Sequence, residues 1–483
     1  MSTAPGPGAL AVVRLSGKGA LGALKAVFRG RRDPGERPSR LALGKVVSPS
    51  SGKLLDHAMA VWFPAPGSFT GEDSCEIQCH GGGVVPRLVL EAALEAGARL
   101  ARPGEFTERA FLNGRLTLDQ AEAVAEIVAA ESEAEAAIAA KAMDGALADR
   151  VAPLSKALLS AHARLTGALD FEVDWTERDS EALLETLLPL ESGLAELLEL
   201  RRSGRVFREG VKVVLAGPPN AGKSSLFNAL LGKRRALVSA VAGTTRDYLT
   251  ASASWGLVKV DLVDTAGLRE GGSDELESLG MDLALEQMSD ADLVVWLRDL
   301  SVPGGGPPPD AGEAGGGRRG EGAPPCVATG GGDAEKAPGS EAAKTPGEAP
   351  ARAVGMPPCN PPKILEVWSK SDLAAGGAPP GGALRVSAAT GEGLKGLKEA
   401  ILDLFGALGP KAPELVPNLR QELALAGALK ALGQARKALE DGEVPEIAGI
   451  LLKEARDSLD LVTGRTVTED LLAEVFSQFC LGK

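Results

Sequence analysis

Hydrophobic positions near the start of the chain follow two different periods. Alternation typical of strands occurs at 10–15, 57–63 and 74–79, and a helical period occurs at 84–96. Because both kinds of segment occur within a short stretch, we predict an α/β unit that ends near Asn113.

A purely helical region is predicted to begin after Thr117. This residue is followed three positions later by Gln120, which is the form of a capping box. A long helix is expected here, since apolar residues recur with helical spacing at Leu118, Ala121, Val124 and Val128. Further helical segments are predicted at 154–169, 182–200, 419–439 and 446–461.

Between the helical blocks, strand-like segments alternate with helical ones, which is the pattern of βαβ units. The strand-like segments are 211–216, 259–263, 292–297, 363–367 and 384–386. We therefore predict a parallel sheet with covered faces, in a domain inserted into an all-α domain. Residues 302–362 are predicted to be disordered, because Gly, Pro, Ala and Glu dominate them and large apolar residues are almost absent.

Length and composition limit the class of protein. With 483 residues, 44% of them hydrophobic, the chain is long enough for several domains. Its net charge of −13 repels polyanions, so any contact with nucleic acid must come from a local basic patch. Five scattered cysteines indicate a reducing compartment, and the sequence shows neither a signal pattern nor a membrane-spanning run. We expect a soluble cytoplasmic protein without a membrane partner, with an organellar stroma or matrix as the alternative.

A phosphate-binding motif follows the strand-like segment 211–216. Residues 217–224 read GPPNAGKS, which matches GxxxxGK[ST], and a helical run closed by Gly232 follows. The glycines permit a turn that points backbone N–H groups at phosphates. Lys223 offers a charge to the terminal phosphates, and the Ser224 hydroxyl is a ligand for Mg²⁺. The motif predicts a nucleoside triphosphate site.

Two further motifs favour a GTPase. Asp264 begins the sequence DTAG at the end of a predicted strand, so its carboxylate reaches the metal shell and the N–H of Gly267 senses a γ-phosphate. The sequence GTTRD at 243–247 lies between the two motifs, where a GTPase keeps the loop whose threonine closes over Mg²⁺. Thr245 is therefore predicted to join Ser224 as a magnesium ligand.

The base-recognition motif departs from the usual Asn-Lys-x-Asp. Here Ser369 takes the place of the asparagine, and its shorter side chain is expected to affect guanine affinity more than guanine choice. Asp372 accepts from guanine N1 and N2, and Lys370 lies over the ring. The residues assigned to GTP are Asn220, Ala221, Gly222, Lys223, Ser224, Ser225, Thr244, Thr245, Asp264, Thr265, Ala266, Gly267, Ser369, Lys370, Asp372, Ser387, Ala388 and Ala389.

The means of hydrolysis is not evident from these motifs alone. Leu268 stands where Ras-type switches have a glutamine that orients the attacking water. The motifs GPPNAGKSS, GTTRD and DTAGLRE nevertheless resemble those of the MnmE (TrmE) family. Three stretches outside the nucleotide site do so too, namely SFTGED at 68–73, RPGEFTERAFLN at 102–113 and FCLGK at 479–483. The resemblance covers nearly the whole chain except 302–362.

This resemblance implies a potassium-dependent GTPase in which two GTPase domains meet face to face and K⁺ occupies the place of an arginine finger. The matching K⁺ ligands are Asn220, Ser239, Val241 and Thr244. Glu277 matches the carboxylate that positions the water, although a solvated acidic surface remains the alternative for it. With Lys223, it is expected to act in catalysis.

The resemblance also implies that the N-terminal domain pairs with a second copy and holds a tetrahydrofolate derivative. The positions that match folate contacts are Arg14, Glu76, Arg115 and Lys483. Ordinary surface charges are the alternative for these residues. Cys480 matches a cysteine needed for modification, and a small buried hydrophobic residue is the alternative for it.

The family assignment implies a domain order and a biological role. The expected domains are 1–113 (folate-binding-like), 114–208 (helical, first part), 209–408 (Ras-like P-loop GTPase) and 409–483 (helical, second part). A homodimer is expected to work with a flavin-dependent MnmG (GidA)-type protein on the wobble uridine of tRNA, adding a 5-carboxymethylaminomethyl-type group. The alternatives are a GTP-controlled assembly factor and a divergent scaffold GTPase.

Overall fold

The computed structural model describes residues 1–4, 6–170, 175–232, 249–265, 287–301, 362–373, 383–409, 411–466, 468–477 and 479. The chain forms two compact units. One contains Met1–Arg208 together with Lys411–Lys483, and the other contains Glu209–Pro410. The first unit is therefore built from two segments that are far apart in the sequence.

The first unit begins with a five-stranded antiparallel sheet whose strand order is β1-β5-β4-β3-β2. Its strands are β1 (Leu10–Ser16), β2 (Phe28–Gly30), β3 (Ala42–Val47), β4 (Leu54–Phe63) and β5 (Ser74–His80). Two helices, α1 (Ala20–Val27) and α2 (Val85–Glu95), contribute to the same core, in which Val13 and Ile77 are fully buried. The three predicted strands and the predicted helix are confirmed.

Helices follow the sheet directly. They are α3 (Glu105–Leu112), α4 (Leu118–Ala129), α5 (Glu133–Met143), α6 (Ala146–Asp170) and α7 (Glu177–Glu209). The capping box of Thr117 and Gln120 is present at the start of α4. The expectation of one long helix is wrong, because Ser132 accepts a hydrogen bond from the Glu135 N–H and so starts a new helix. Val128, expected on the apolar face, is 47% exposed.

The second unit contains a six-stranded sheet with the order β11-β10-β9-β6-β8-β7. Its strands are β6 (Val211–Ala216), β7 (Leu249–Trp255), β8 (Val258–Asp264), β9 (Leu293–Asp299), β10 (Lys363–Ser369) and β11 (Leu384–Arg385). Helices α8 (Lys223–Leu231) and α9 (Leu394–Leu404) belong to it. The sheet is parallel as predicted except at β7, which pairs antiparallel with β8 across a tight turn at Gly256.

The chain then returns to the first unit with α10 (Leu419–Glu440), α11 (Pro445–Thr463) and α12 (Glu469–Ser477). One apolar cluster contains Leu158, Leu187 and Leu194 from the earlier helices together with Leu432 and Leu452 from the later ones. The helical core is thus shared by two segments between which the second unit is inserted. Among the helices that the structure describes, none is long and apolar enough to cross a membrane.

Candidate functional site

The phosphate loop connects the end of β6 to the start of α8. Gly217 has φ 141°, and a Cβ atom at this position would lie 2.5 Å from the carbonyl oxygen of Leu297. Asn220 and Gly222 also adopt positive φ angles, of 62° and 90°. Because the backbone at Gly217 passes so close to β9 before it turns into the helix, only a residue without a side chain fits there. The turn leaves N–H groups of the first helical turn available to an anion.

The Lys223 side chain is folded into this loop. It is 8% exposed, and its Nζ donates to the carbonyl oxygens of Gly217 and Pro218, each at 3.0 Å. Ser224 and Ser225 are exposed at the first turn of α8. The loop therefore surrounds a single ammonium group at the carboxyl end of a parallel sheet, which is where such sheets bind ligands.

The end of β8 lies beside the phosphate loop. Asp264 is fully buried and is the register partner of Leu215 on β6. The next residue, Thr265, donates its hydroxyl hydrogen to the Leu215 carbonyl oxygen at 2.9 Å. A buried carboxyl group thus lies at the end of β8, the strand beside the one that leads into the phosphate loop, and its role toward a metal stays a prediction.

Ser369, at the end of β10, reaches the phosphate loop despite its short side chain. It is 4% exposed, and its Oγ lies 2.7 Å from the carbonyl oxygen of Ala221 and 3.0 Å from that of Arg298. A hydroxyl hydrogen is directed at only one acceptor at full strength, so the shorter contact, to Ala221, is the main one. Ser369 therefore connects the base-recognition strand to the loop.

The other members of the base-recognition motif are held by local contacts. Lys370 has φ 58°, and its Nζ lies 2.7 Å from Asp299 Oδ2. Partial burial works to raise the pKa of Asp299, but the contacts with Lys370 and Ser301 outweigh it, and the pKa lies below its usual value. Asp372 Oδ1 accepts from the Ser387 hydroxyl at 2.6 Å.

These contacts bring the described part of the predicted nucleotide site to one edge of the sheet. It comprises the phosphate loop, Asp264 with Thr265, the segment from Ser369 to Asp372, and the loop that begins at Ser387. Ala388 and Ala389 follow in that last loop. The remaining predicted residues of the nucleotide, potassium and catalytic sites lie outside the described residues: Ser239, Val241, Thr244, Thr245, Ala266, Gly267, Glu277 and Cys480.

Two predicted folate contacts meet in the N-terminal sheet. Arg14 on β1 and Glu76 on β5 are register partners, and Arg14 Nε and Nη2 lie 2.9 Å and 2.7 Å from Glu76 Oε1. Arg115 lies against the 68–73 loop, because a Cβ atom on Gly71 would be 3.1 Å from its Cγ. Lys483 lies outside the described residues.

A cavity of about 190 Å³ adjoins this pair, which we call the Arg14–Glu76 cavity. Its lining includes Arg14, Phe63, Phe69, Thr70, Ser74 and Glu76. Sequence reasoning did not single out the aromatic residues, although Phe69 and Phe106 lie in two of the stretches that carry the family resemblance. Their ring centroids are each 5.9 Å from the Arg14 guanidinium carbon, a distance at which cation–π attraction acts.

Comparison with known proteins places similar sequences along the whole chain. A family model described as MnmE helical domain matches residues 118–480, and one described as GTP-binding protein TrmE N-terminus matches residues 1–115. The protein named tRNA modification GTPase MnmE of Paracidovorax citrulli (strain AAC00-1) is 38% identical over 517 residues, which cover 100% of this chain and 98% of that protein. A protein of the same name from Thermus thermophilus is 38% identical over 485 residues, with the same coverage of both chains.

Proposed function

This chain belongs to the MnmE family of tRNA modification GTPases, and we propose that it hydrolyses GTP to GDP and phosphate in the course of modifying tRNA. The observation that carries the proposal is the phosphate loop, in which carbonyl oxygens enclose the Lys223 ammonium, together with the buried Asp264 at the end of the neighbouring strand β8. Asp372, held by the Ser387 hydroxyl, supplies the acceptor for guanine N1 and N2.

Magnesium fits the oxygen donors of this site. Mg²⁺ takes hydroxyl, carboxylate and phosphate oxygens, and Ser224 presents its hydroxyl at the exposed first turn of α8. We assign the ion to Ser224 and Thr245, with Asp264 in its outer shell. When bound, it neutralises negative charge on the terminal phosphates.

Potassium is assigned to Asn220, Ser239, Val241 and Thr244. Asn220 is exposed on the phosphate loop, and its backbone has a positive φ angle of 62°. An amide oxygen is an uncharged ligand that suits a large monovalent cation. When bound, such a cation would stabilise the negative charge that develops on the phosphates. It would therefore take the role of an arginine finger. Glu277 is proposed to position the attacking water.

A tetrahydrofolate derivative is assigned to the Arg14–Glu76 cavity. The Glu76 carboxylate accepts from the N–H groups of a pterin ring, and guanidinium and ammonium groups pair with the carboxylates of the folate tail. We assign the tail to Arg14, Arg115 and Lys483. The volume of about 190 Å³ suits the ring and leaves the tail outside the cavity. Cys480 is proposed to act in the modification step.

A homodimer is proposed through the sheet face that turns away from α1 and α2. Across the strands of this face, Val12, Gln78, Met59 and Leu43 are successive register partners. Leu43 is 72% exposed, and exposed apolar surface of this kind favours association. The dimer is proposed to work with a flavin-dependent MnmG-type protein on the wobble uridine of tRNA.

Hydrolysis by the full chain in K⁺ and in Na⁺ tests the proposal. We expect hydrolysis in K⁺ to be faster by about tenfold or more, the step that about 1.4 kcal/mol of transition-state stabilisation gives. Asn220→Ala should remove this difference, and Lys223→Ala should lower GTP affinity. Equal rates in the two salts would contradict the potassium site, and undiminished GTP affinity of Lys223→Ala would contradict the GTP site.

A further inference from the structure

The Arg14–Glu76 cavity is bordered by the loop of residues 68–73, which is attached to helix α3 and the residue that follows it. Asn113 Nδ2 donates to the Thr70 carbonyl oxygen at 2.8 Å. Arg109 Nη1 donates to Glu72 Oε2, also at 2.8 Å. The α3 region therefore holds the loop through two side chains, and one of these two contacts is a charged pair.

Arg109 is itself held in place by Glu105. This carboxylate is 5% exposed in its side chain and accepts from Arg109 Nη2 at 2.7 Å and from Arg99 Nη2 at 2.5 Å. The hydrogen bond from Arg99 has the largest effect on the pKa of Glu105, which it lowers. Burial acts in the opposite direction, but hydrogen bonds from the Arg102 N–H and from Arg109 also lower the pKa, which is about 2. Glu105 is thus negatively charged at neutral pH and orients the guanidinium of Arg109 toward the loop.

Glu72 extends the chain of contacts to the wall of the cavity. Its Oε2 accepts from the Ser16 hydroxyl at 3.0 Å, at the end of β1. Ser16 Oγ lies 2.7 Å from Thr70 Oγ1, which lies 3.1 Å from Ser74 Oγ. Thr70 and Ser74 line the cavity, whereas Glu72 does not.

We propose that Arg109, Glu72 and Asn113 are positioning residues for the folate site in the Arg14–Glu76 cavity. This inference rests on the folate site proposed above. They hold the 68–73 loop in the conformation that places Phe69 beside Arg14 in the lining of the cavity. A loop ordered before the ligand arrives loses less conformational freedom on binding, so affinity is higher. The Arg109–Glu72 pair, with side chains 29% and 33% exposed, is shielded enough to contribute to this order.

The test is calorimetric titration of the full chain with 5-formyltetrahydrofolate, together with its melting temperature. Glu72→Gln removes the charge on the loop that pairs with Arg109, and Asn113→Ala removes the hydrogen bond to the Thr70 carbonyl oxygen. Each should weaken binding by about tenfold, which corresponds to about 1.4 kcal/mol. The double variant should weaken binding by less than the product of the two single-variant effects, because both contacts order the same loop.

Arg102→Gln is the matched control. Its side chain pairs with Glu108 at 2.9 Å on the surface of α3, is 70% exposed and does not contact the 68–73 loop. We expect its folate affinity to equal that of the unaltered chain. If Glu72→Gln does not fold, Asn113→Ala provides the same comparison, since it removes one hydrogen bond to the loop and changes no charge.

The outcomes separate two failures. A normal affinity in both loop variants, with only the melting temperature lowered, would mean that the contacts are structural and would overturn the inference alone. No binding heat with the unaltered chain would overturn the folate site, and this inference with it.

Discussion

Ser369 illustrates how a single hydroxyl takes part in the nucleotide site. Its Oγ is 2.7 Å from the Ala221 carbonyl oxygen, and it is the position at which the chain departs from Asn-Lys-x-Asp. Its length had suggested weaker guanine binding. The contact indicates that Ser369 contributes by holding the phosphate loop, and its effect on guanine affinity remains a prediction.

We predict that Ser369→Ala lowers GTP affinity by about two- to tenfold. The net contribution of a hydrogen bond of this kind is about 0.5–1.5 kcal/mol, and its loss here affects the loop that holds the phosphates. Equilibrium binding of a fluorescent, non-hydrolysable GTP analogue measures the change. Ser371→Ala is the control, since the Ser371 hydroxyl contacts Glu392 at 3.0 Å and not the loop. Equal affinities for the two variants would refute the loop-holding role.

A second residue-scale prediction concerns Glu105 and acid. Its pKa is lowered from about 4.5 to about 2 in the folded chain, so the folded state favours the charged form. This stability is fully present above pH 4.5 and is lost as the pH falls toward 2. Its upper limit is about 3 kcal/mol at about 1.36 kcal/mol per pKa unit.

Urea unfolding between pH 6 and pH 3 measures this contribution. The unaltered chain should lose stability more steeply than Glu105→Gln, because the amide does not titrate. Parallel curves for the two proteins would show that Glu105 contributes nothing to acid sensitivity. The comparison isolates one carboxyl from the many others that titrate in the same range.

At the scale of elements, the phosphate loop depends on the close approach of Gly217 to β9. We predict that Gly217→Ala lowers GTP affinity by at least about tenfold, since a Cβ atom 2.5 Å from the Leu297 carbonyl oxygen forces the loop to move. Titration with a fluorescent nucleotide measures the loss.

Gly232→Ala provides the comparison for this prediction. Gly232 has a φ of 68°, but among the described residues no atom lies within 4 Å of the place that a Cβ atom would take. The substitution therefore strains the end of α8 without moving the loop. We expect a lower melting temperature by about a few degrees and an unchanged GTP affinity. Equal losses of affinity in both glycine variants would indicate general strain in α8.

Elements with a strong local pattern were predicted well. The strand and helix around the phosphate loop and the helices α10 and α11 are confirmed within a few residues, whereas α6 begins eight residues before its predicted start and α7 ends nine residues after its predicted end. The break after α4 was missed, because alanines on both sides of Ser132 continue the helical composition although Ser132 starts a new helix. Strand β7 was missed as well, since alternating Ala and Ser residues carry little hydrophobic signal.

At the scale of the whole molecule, a network around Glu122 closes the helical part of the first unit. Arg420 Nε lies 2.5 Å from Glu122 Oε1, and Asn418 Nδ2 lies 2.9 Å from Glu122 Oε2. Arg420 and Asn418 are separated from Glu122 by 298 and 296 positions in the chain, respectively. The two helical segments are thus joined by polar contacts as well as by a common apolar core.

We predict that Glu122→Gln lowers the free energy of unfolding of the helical part by about 2–4 kcal/mol. Breaking a shielded pair leaves the other charge uncompensated, and the Glu122 and Arg420 side chains are only 11% and 18% exposed. Urea unfolding followed by far-ultraviolet circular dichroism measures the loss. Glu196→Gln is the control, because its pair with Arg150 is 62% and 50% exposed and should change stability by less than about 1 kcal/mol. Equal effects would refute the role of Glu122.

The family, the phosphate loop and the order of most strands and helices follow from the amino-acid sequence alone. These features depend on residues close together in the chain, where turn geometry and hydrophobic period act directly. The roles assigned to individual site residues, and the fourfold division of the chain into domains, stay predictions.

The contacts between residues that are distant in the chain became evident in the folded molecule. Ser369 contacts a carbonyl 148 positions away, and Arg109 pairs with Glu72 across 37 positions. Pairings of this kind depend on how strands and helices pack, and a charged or hydroxyl side chain has many chemically equivalent partners in the sequence. The packing of sheet and helices selects one of them, which a local pattern does not specify.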